Sequence, residues 1–261
     1  MIKAKKSLGQ NFLTDKNVIK KIVDLIDIKN KTVLEIGPGT GNLTSALIKK
    51  NPKKMHVIEK DDSLADLLEK EYSNQINIIN DDILNCNESL ISEEKLIVFG
   101  NLPYNISTQI LASLILNSKT KPWFKLLILM FQKEVADRIV ANSDSKNYGR
   151  LSIISNWKMD IEKVIDIDPN SFNPSPKVKS TLLTFVPKKK FYELKDPKNL
   201  EHITNIFFSQ RRKMIKKPMK FLFKNFDEVS KELSIDLNLR PQNLDCLTYY
   251  KICKIYEASI Y

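Results

Sequence analysis

The residues Asn101-Leu102-Pro103-Tyr104 close an apolar run, Leu96-Ile97-Val98-Phe99, that stops at Gly100. An amide, a proline and an aromatic in that order could prepare an exocyclic amine, such as that of adenine, for alkylation. The amine is a poor nucleophile because its lone pair is conjugated into the ring. To attack a sulfonium methyl, the nitrogen must pyramidalise. The Asn101 side-chain carbonyl and a backbone carbonyl, that of Leu102, can accept its two N–H bonds, aim the lone pair and stabilise the positive charge that grows on nitrogen. No strong general base is needed, because the proton becomes acidic as the new bond forms. Pro103 would fix the backbone so that Tyr104 can stack on a flipped base, a contact worth roughly 1–3 kcal/mol. Gly, Pro and Asn also punctuate ordinary strand ends, so the chemistry depends on what the rest of the chain brings alongside.

A second group of residues could hold the methyl donor. Glu35-Ile36-Gly37-Pro38-Gly39-Thr40-Gly41 follows an apolar run and opens a helical stretch. Glycines let the backbone turn tightly and approach a ligand closely. The GxGxG spacing differs from the GxGxxG that seats a dinucleotide pyrophosphate on a helix N-terminus, and it suits a ligand without phosphates. Glu59 ends the next apolar run and can accept both hydroxyls of a ribose. Asp82 ends the third, where it can accept from an adenine amino group while Ile83 packs on the ring. Glycine loop, ribose acid and adenine acid together fit S-adenosylmethionine better than a nicotinamide cofactor.

These residues need a scaffold that brings strand ends together. Apolar runs 32–37, 55–61, 76–81, 95–100 and 125–132 alternate with helical stretches at 15–27, 41–50, 63–72, 106–117 and 133–141. Thr14 or Asp15 can cap the first helix. Continuously apolar strands alternating with helices predict a mostly parallel sheet covered on both faces. "LSIISNWKM", "IEKVIDI" and "VKSTLLTFV" read as two or three further strands with an antiparallel pair. "PKKKF" (187–191) makes a linker, and the pattern beyond it is helical. The expected organisation is an α/β domain over 1–190 and a small all-helical, basic domain over 191–261.

The 261 residues carry a net charge of +11. From Lys188 onward there are 16 Lys and Arg against nine Asp and Glu, an excess of seven, which points to a polyanion such as nucleic acid as partner. Arg211, Arg212, Lys213, Lys216 and Lys217 are dense enough to bind phosphates. No apolar run approaches the roughly 18–20 residues that span a bilayer, and the charged N-terminal stretch lacks the apolar segment of a secretory signal. Three cysteines without C-x-x-C spacing and two histidines predict neither a disulfide framework nor a metal site. A reducing cytoplasm is the expected compartment.

"LGQNFL" (8–13), "EIGPGTGNLT" (35–44), "FGNLPYNIST" (99–108), "QKEVADRI" (132–139), "YGRLS" (148–152), "SFNPSPKV" (171–178) and "FSQRRK" (208–213) occur in this order. As a set they resemble the ribosomal RNA adenine N6,N6-dimethyltransferases over nearly the whole chain. The resemblance implies a Rossmann-like class I methyltransferase fold with a seven-stranded sheet. It implies S-adenosylmethionine held by Asn11, Leu13, Gly37, Glu59, Asp82 and Asn101. Phe172 matches an aromatic that packs on the target base opposite Tyr104. The implied reaction is dimethylation of two adjacent adenosines near the 3′ end of 16S rRNA, on a nearly assembled small (30S) ribosomal subunit, by a monomer. Relatives that methylate large-subunit (23S) rRNA share "QNF" and Asn-x-Pro-Tyr, but "YGRLS" and "FNPSPKV" favour the small-subunit branch. A non-catalytic assembly factor is the other alternative. The chain departs from the family pattern at Ser175 and Lys179, and at Pro218, which is expected to end or kink its helix.

Overall fold

The computed structural model describes residues 4–5, 8–86, 95–117 and 122–260. They form two compact units: Met1–Ser113, Thr120–Ala136 and Ile161–Pro187 make up the first, and Leu114–Lys119, Asp137–Asp160 and Lys188–Tyr261 the second.

The first unit is organised by a seven-stranded sheet in the order β4-β3-β2-β5-β6-β9-β7. Its strands are β2 (Thr32–Ile36), β3 (Lys54–Ile58), β4 (Asn77–Ile79), β5 (Leu96–Asn101), β6 (Phe124–Gln132), β7 (Met159–Ile167) and β9 (Ser180–Pro187). The pairs from β4 across to β6 are parallel, and β9 runs antiparallel to β6. Every residue of β2 is buried, as are the first five of β5, which is why these strands read as unbroken apolar runs rather than alternating ones. The helices of this unit include α1 (Lys16–Val23), α2 (Asn42–Ile48) and α3 (Asp62–Tyr72). Asp15 caps α1, accepting from the amides of Asn17 and Val18. The expected mostly parallel sheet is therefore present.

Strand order fixes where a ligand can sit. From β2 the chain moves outward to β3 and β4, then returns to place β5 on the other side of β2. Ile36 stands beside Gly100 across that junction. In open α/β sheets the crevice lies outside the carboxyl ends of strands at such a reversal. The glycine loop and Asn101 leave the sheet there.

The second unit is helical: α6 (Arg150–Lys158), α7 (Pro197–Phe208), α8 (Lys216–Leu222), α9 (Phe226–Glu232) and α10 (Cys246–Ile260), with α6, α7 and α10 packed together. Helix α4 (Ser107–Leu116) and helix α5 (Lys133–Ile139) complete the helices among the described residues. Residues 151–158 form a helix, not the strand expected from "LSIISNWKM". Ile153, Ile154 and Trp157 are all buried, so the segment has no polar stripe to betray a helical period. Ser152 Oγ accepts from the Gly149 amide and donates to the Arg138 carbonyl, closing the first turn. Pro218 does not end or kink a helix either. It is the third residue of α8, where its missing N–H costs no intrahelical bond. The chain had already left α7 at Phe208.

Glu257 organises the second unit from a buried position. Its carboxylate accepts from the backbone amides of Lys195 and Asp196 at 2.8 Å each, and from Asn199 Nδ2 at 3.2 Å, so it caps the approach to α7. Glu257→Ala strands those donors. At about 1–3 kcal/mol for each unsatisfied group, urea titration is expected to show a loss of about 2–4 kcal/mol in unfolding free energy. Glu257→Gln, which keeps one acceptor, is expected to lose less. An alanine variant as stable as the parent would contradict this role.

Candidate functional site

One cavity opens at the carboxyl ends of β2, β3 and β5. Its walls include Asn11, Leu13, Glu35, Gly37, Glu59, Asp82, Asn101, Leu102 and Tyr104. Nearly every residue proposed from the sequence for the donor and for the amine thus faces the same space.

Asn101 is the last residue of β5. Its Nδ2 donates to the Asn11 carbonyl at 2.7 Å, which leaves Oδ1 as the amide's free acceptor. The Leu102 carbonyl accepts from no described residue, although the Leu102 side chain is buried. Tyr104 is half-buried, and its hydroxyl meets Ser180 Oγ of β9 at 2.5 Å. That bond steadies the ring against rotation. Ser180 had no signal in the sequence, because it lies 76 residues from Tyr104.

The segment "LGQNFL" is fastened over this cleft from several sides. Strand β1 (Phe12–Leu13) pairs antiparallel with β8 (Phe172–Asn173). Gln10 Nε2 donates to Asp61 Oδ2 at 3.0 Å, and Lys5 Nζ reaches Asp61 Oδ1 at 2.7 Å. Asn42 Nδ2 donates to the Leu13 carbonyl at 2.9 Å. Gly9 lies so near Asn105 that a Cβ there would stand 2.7 Å from Asn105 Oδ1. Asp61, the N-cap of α3, is the residue that sequence reasoning missed. An acid directly before an apolar-periodic helix was the available sign.

The glycine loop lines the same cavity. Gly37 has φ +67°, donates its N–H to the Ile58 carbonyl at 2.9 Å, and would carry a Cβ with only the Asn101 carbonyl oxygen within 4 Å. The backbone there is open to a ligand. Gly39 answers a different need, since a Cβ would lie 2.7 Å from the Phe12 ring.

Three of the acids that line the cavity stand in distinct states. Glu59 directly follows β3. Its oxygens accept the Gly39 amide at 3.1 Å and the Asp61 amide at 2.9 Å, and each oxygen keeps a lone pair for a hydroxyl donor. Burial pushes its carboxyl up despite those amides. Asp82 stands three residues past β4. Burial raises its carboxyl, but the Lys60 ammonium at 2.8 Å and the Leu84 amide hold it below the usual range. Glu59 and Asp82 thus both present carboxylate acceptors to the same cavity. Glu35 is buried at the end of β2, accepts from Thr44 Oγ1 at 2.7 Å, and is pushed up to about 8, by burial first.

Other proposed residues are not among those that line the cavity. Phe172 is 3% exposed, packed in the core with Leu13 and Ile19, and does not line it. In the second unit, Arg211 to Lys213 occupy the turn between α7 and α8. The Arg211 guanidinium donates to Gln242 Oε1 and to the carbonyls of Ser145 and Lys146, so it braces local backbone. Arg212, Lys213, Lys216 and Lys217 are exposed.

Glu35 makes a pH prediction. Its folded pKa lies above the ordinary 4.5, so the folded chain holds a proton that the unfolded chain has released. Stability from this group is full below pH 4.5 and falls as pH rises toward about 8. Thermal unfolding of Glu35→Gln is expected to lose this decline, and the variant should overtake the parent near pH 8. Parallel pH profiles for the two proteins would contradict it.

Residues 1–258 match the family model described as ribosomal RNA adenine dimethylase. The chain is 61% identical over 256 residues to the ribosomal RNA small subunit methyltransferase A of Pelagibacter ubique (strain HTCC1062), covering 98% of both chains. It is 41% identical to the protein of that name from Wolbachia sp. subsp. Drosophila simulans (strain wRi), over 94% of this chain and 90% of the relative. Among solved structures, a dimethyladenosine transferase from Plasmodium falciparum superposes with a TM-score of 0.75 at 27% identity, over 92% of this chain and 95% of that one. The 23S rRNA methyltransferase ErmE superposes at 0.67 and 21% identity, over 95% and 100%, a likeness of fold. The cleft described above therefore lies in a methyltransferase, and the chain belongs to the ribosomal RNA adenine dimethylase family.

Proposed function

We propose that this protein dimethylates the N6 amino groups of two adjacent adenosines near the 3′ end of 16S rRNA within the small ribosomal subunit, acting as a cytoplasmic monomer. The observation that carries the reading is the Asn101 amide, bound through Nδ2 to the Asn11 carbonyl and set in the wall of the cavity, with Oδ1 left to accept. The relatives named for the small subunit support the choice of target. The large-subunit alternative shares "QNF" and Asn-x-Pro-Tyr with this chain, and the 23S rRNA methyltransferase ErmE is 21% identical to it.

When bound, S-adenosylmethionine supplies an electrophilic methyl group on a sulfonium sulfur. Glu59 and Asp82 would hold its ribose and adenine, and Gly37 would let its amino-acid end lie along the loop. The chain's own work is to prepare the acceptor. Asn101 Oδ1 and the Leu102 carbonyl receive the two N–H bonds of the amine, so its lone pair is turned into the cavity. As nitrogen gains positive charge, both acceptors hold it more strongly, which lowers the barrier. Tyr104, steadied by Ser180, presents a ring face to the base. In the second unit, Arg212, Lys213, Lys216 and Lys217, which form no ion pair among the described residues, offer cations for phosphates.

Labelled methyl transfer to undermethylated small subunits, with the modified nucleosides mapped, tests the reading. Label on two neighbouring adenosines near the 3′ end is expected. Label confined to large-subunit RNA would overturn it. In the same assay Asn101→Ala is expected to reduce transfer by at least about a hundredfold, with little change in RNA affinity. Near-parental turnover would remove the hydrogen-bonding role.

A further inference from the structure

Helix α8 carries an outward aromatic that the site does not use. Its inner face is Ile215, Met219 and Phe223, at most 4% exposed. Its outer face holds Lys216, Lys217, Lys220 and Phe221. Phe221 is 73% exposed, against 40–56% for the other large apolar side chains that reach solvent. It touches no other described ring or cation. Lys217 stands one turn before it on the same surface. Residues 211–224 contain seven Lys and Arg and no Asp or Glu. Among the described residues, Lys216 and Lys217 form no ion pair, while Lys220 leans over the Phe226 ring at 5.0 Å.

An isolated apolar ring within uncompensated positive charge fits a strand with phosphates on its edge and bases to stack. A lipid surface would also accept lysines and a phenylalanine. An interfacial helix, however, presents a continuous apolar face opposite its charges. Here the helix's apolar face is buried and Phe221 is the outer face's single apolar residue.

We propose that Phe221 is a stacking platform for one unpaired base of the substrate RNA, with Lys216 and Lys217 holding the flanking phosphates. This rests on the rRNA-methylating function proposed above and adds the kind of RNA element, an unpaired nucleotide, that the helical unit engages.

The experiment measures affinity of the full-length protein for undermethylated small subunits at several salt concentrations. Phe221→Ala is expected to bind about tenfold more weakly, and Phe221→Trp as tightly as the parent. Phe221→Leu should resemble alanine, because leucine is apolar but cannot stack. The salt slope should be unchanged in Phe221→Ala and reduced by about one in Lys217→Ala. Thermal unfolding should be little changed, since the side chain is mostly exposed. Binding by Phe221→Ala within twofold of the parent would overturn the platform. So would full affinity in Phe221→Leu, or a loss confined to anionic phospholipid vesicles. A parent that binds the subunits yet transfers no methyl group would overturn the reaction instead, with Phe221 still judged by affinity. A parent that binds no subunits would overturn both.

Discussion

The hydrogen bond from the Asn101 amide to the Asn11 carbonyl joins the end of the central strand to a segment ninety residues away. An amide can both donate and accept, and here the two capacities are divided. The nitrogen is spent on the backbone of "LGQNFL", so the oxygen has one direction left. That direction is the crevice created by the reversal of strand order between β2 and β5. The surrounding contacts serve the same placement. β1 is paired with β8, Gln10 and Lys5 meet Asp61, and Asn42 holds the Leu13 carbonyl. Each fixes the position of Asn11, and hence the orientation of the acceptor.

Charge is divided between the two units according to ligand. Glu59 and Asp82 line the cavity of the first unit, where their carboxylate oxygens would meet the polar groups of a donor. Most of the net positive charge lies beyond Lys188, where a polyanion would be attracted from a distance. Within the cleft, burial separates the acids further. Glu35 is neutralised by its dry surroundings, whereas Lys60 and a backbone amide keep Asp82 ionised. Similar side chains thus do different work because their solvation differs.

Much of this was legible from residue order. Buried parallel strands appear as unbroken apolar runs, and the acids or amides that end them mark one rim. Glu59, Asp82 and Asn101 could therefore be assigned to a single crevice. Other features depend on distance in space. Asp61's bonds to Lys5 and Gln10 cross more than fifty residues, and Ser180's bond to Tyr104 crosses 76. Helix α6 was unreadable because burial all around erases its period. Arg211 looked like a phosphate ligand, and only folding shows its guanidinium spent on carbonyls. Phe172 matches a base-packing aromatic by motif, and its place in the core beside Leu13 follows from the pairing of β8 with β1, which no local pattern shows.

The division of labour within the Asn101 amide is the central claim, and Asn101→Asp tests it most directly. Aspartate keeps the acceptor oxygens and the size of the side chain but cannot donate to the Asn11 carbonyl. Single-turnover methyl transfer to undermethylated small subunits should fall at least about a hundredfold, with S-adenosylmethionine still bound. Transfer at the parental rate would mean that an acceptor alone suffices, and would contradict the role assigned to the Asn11 bond.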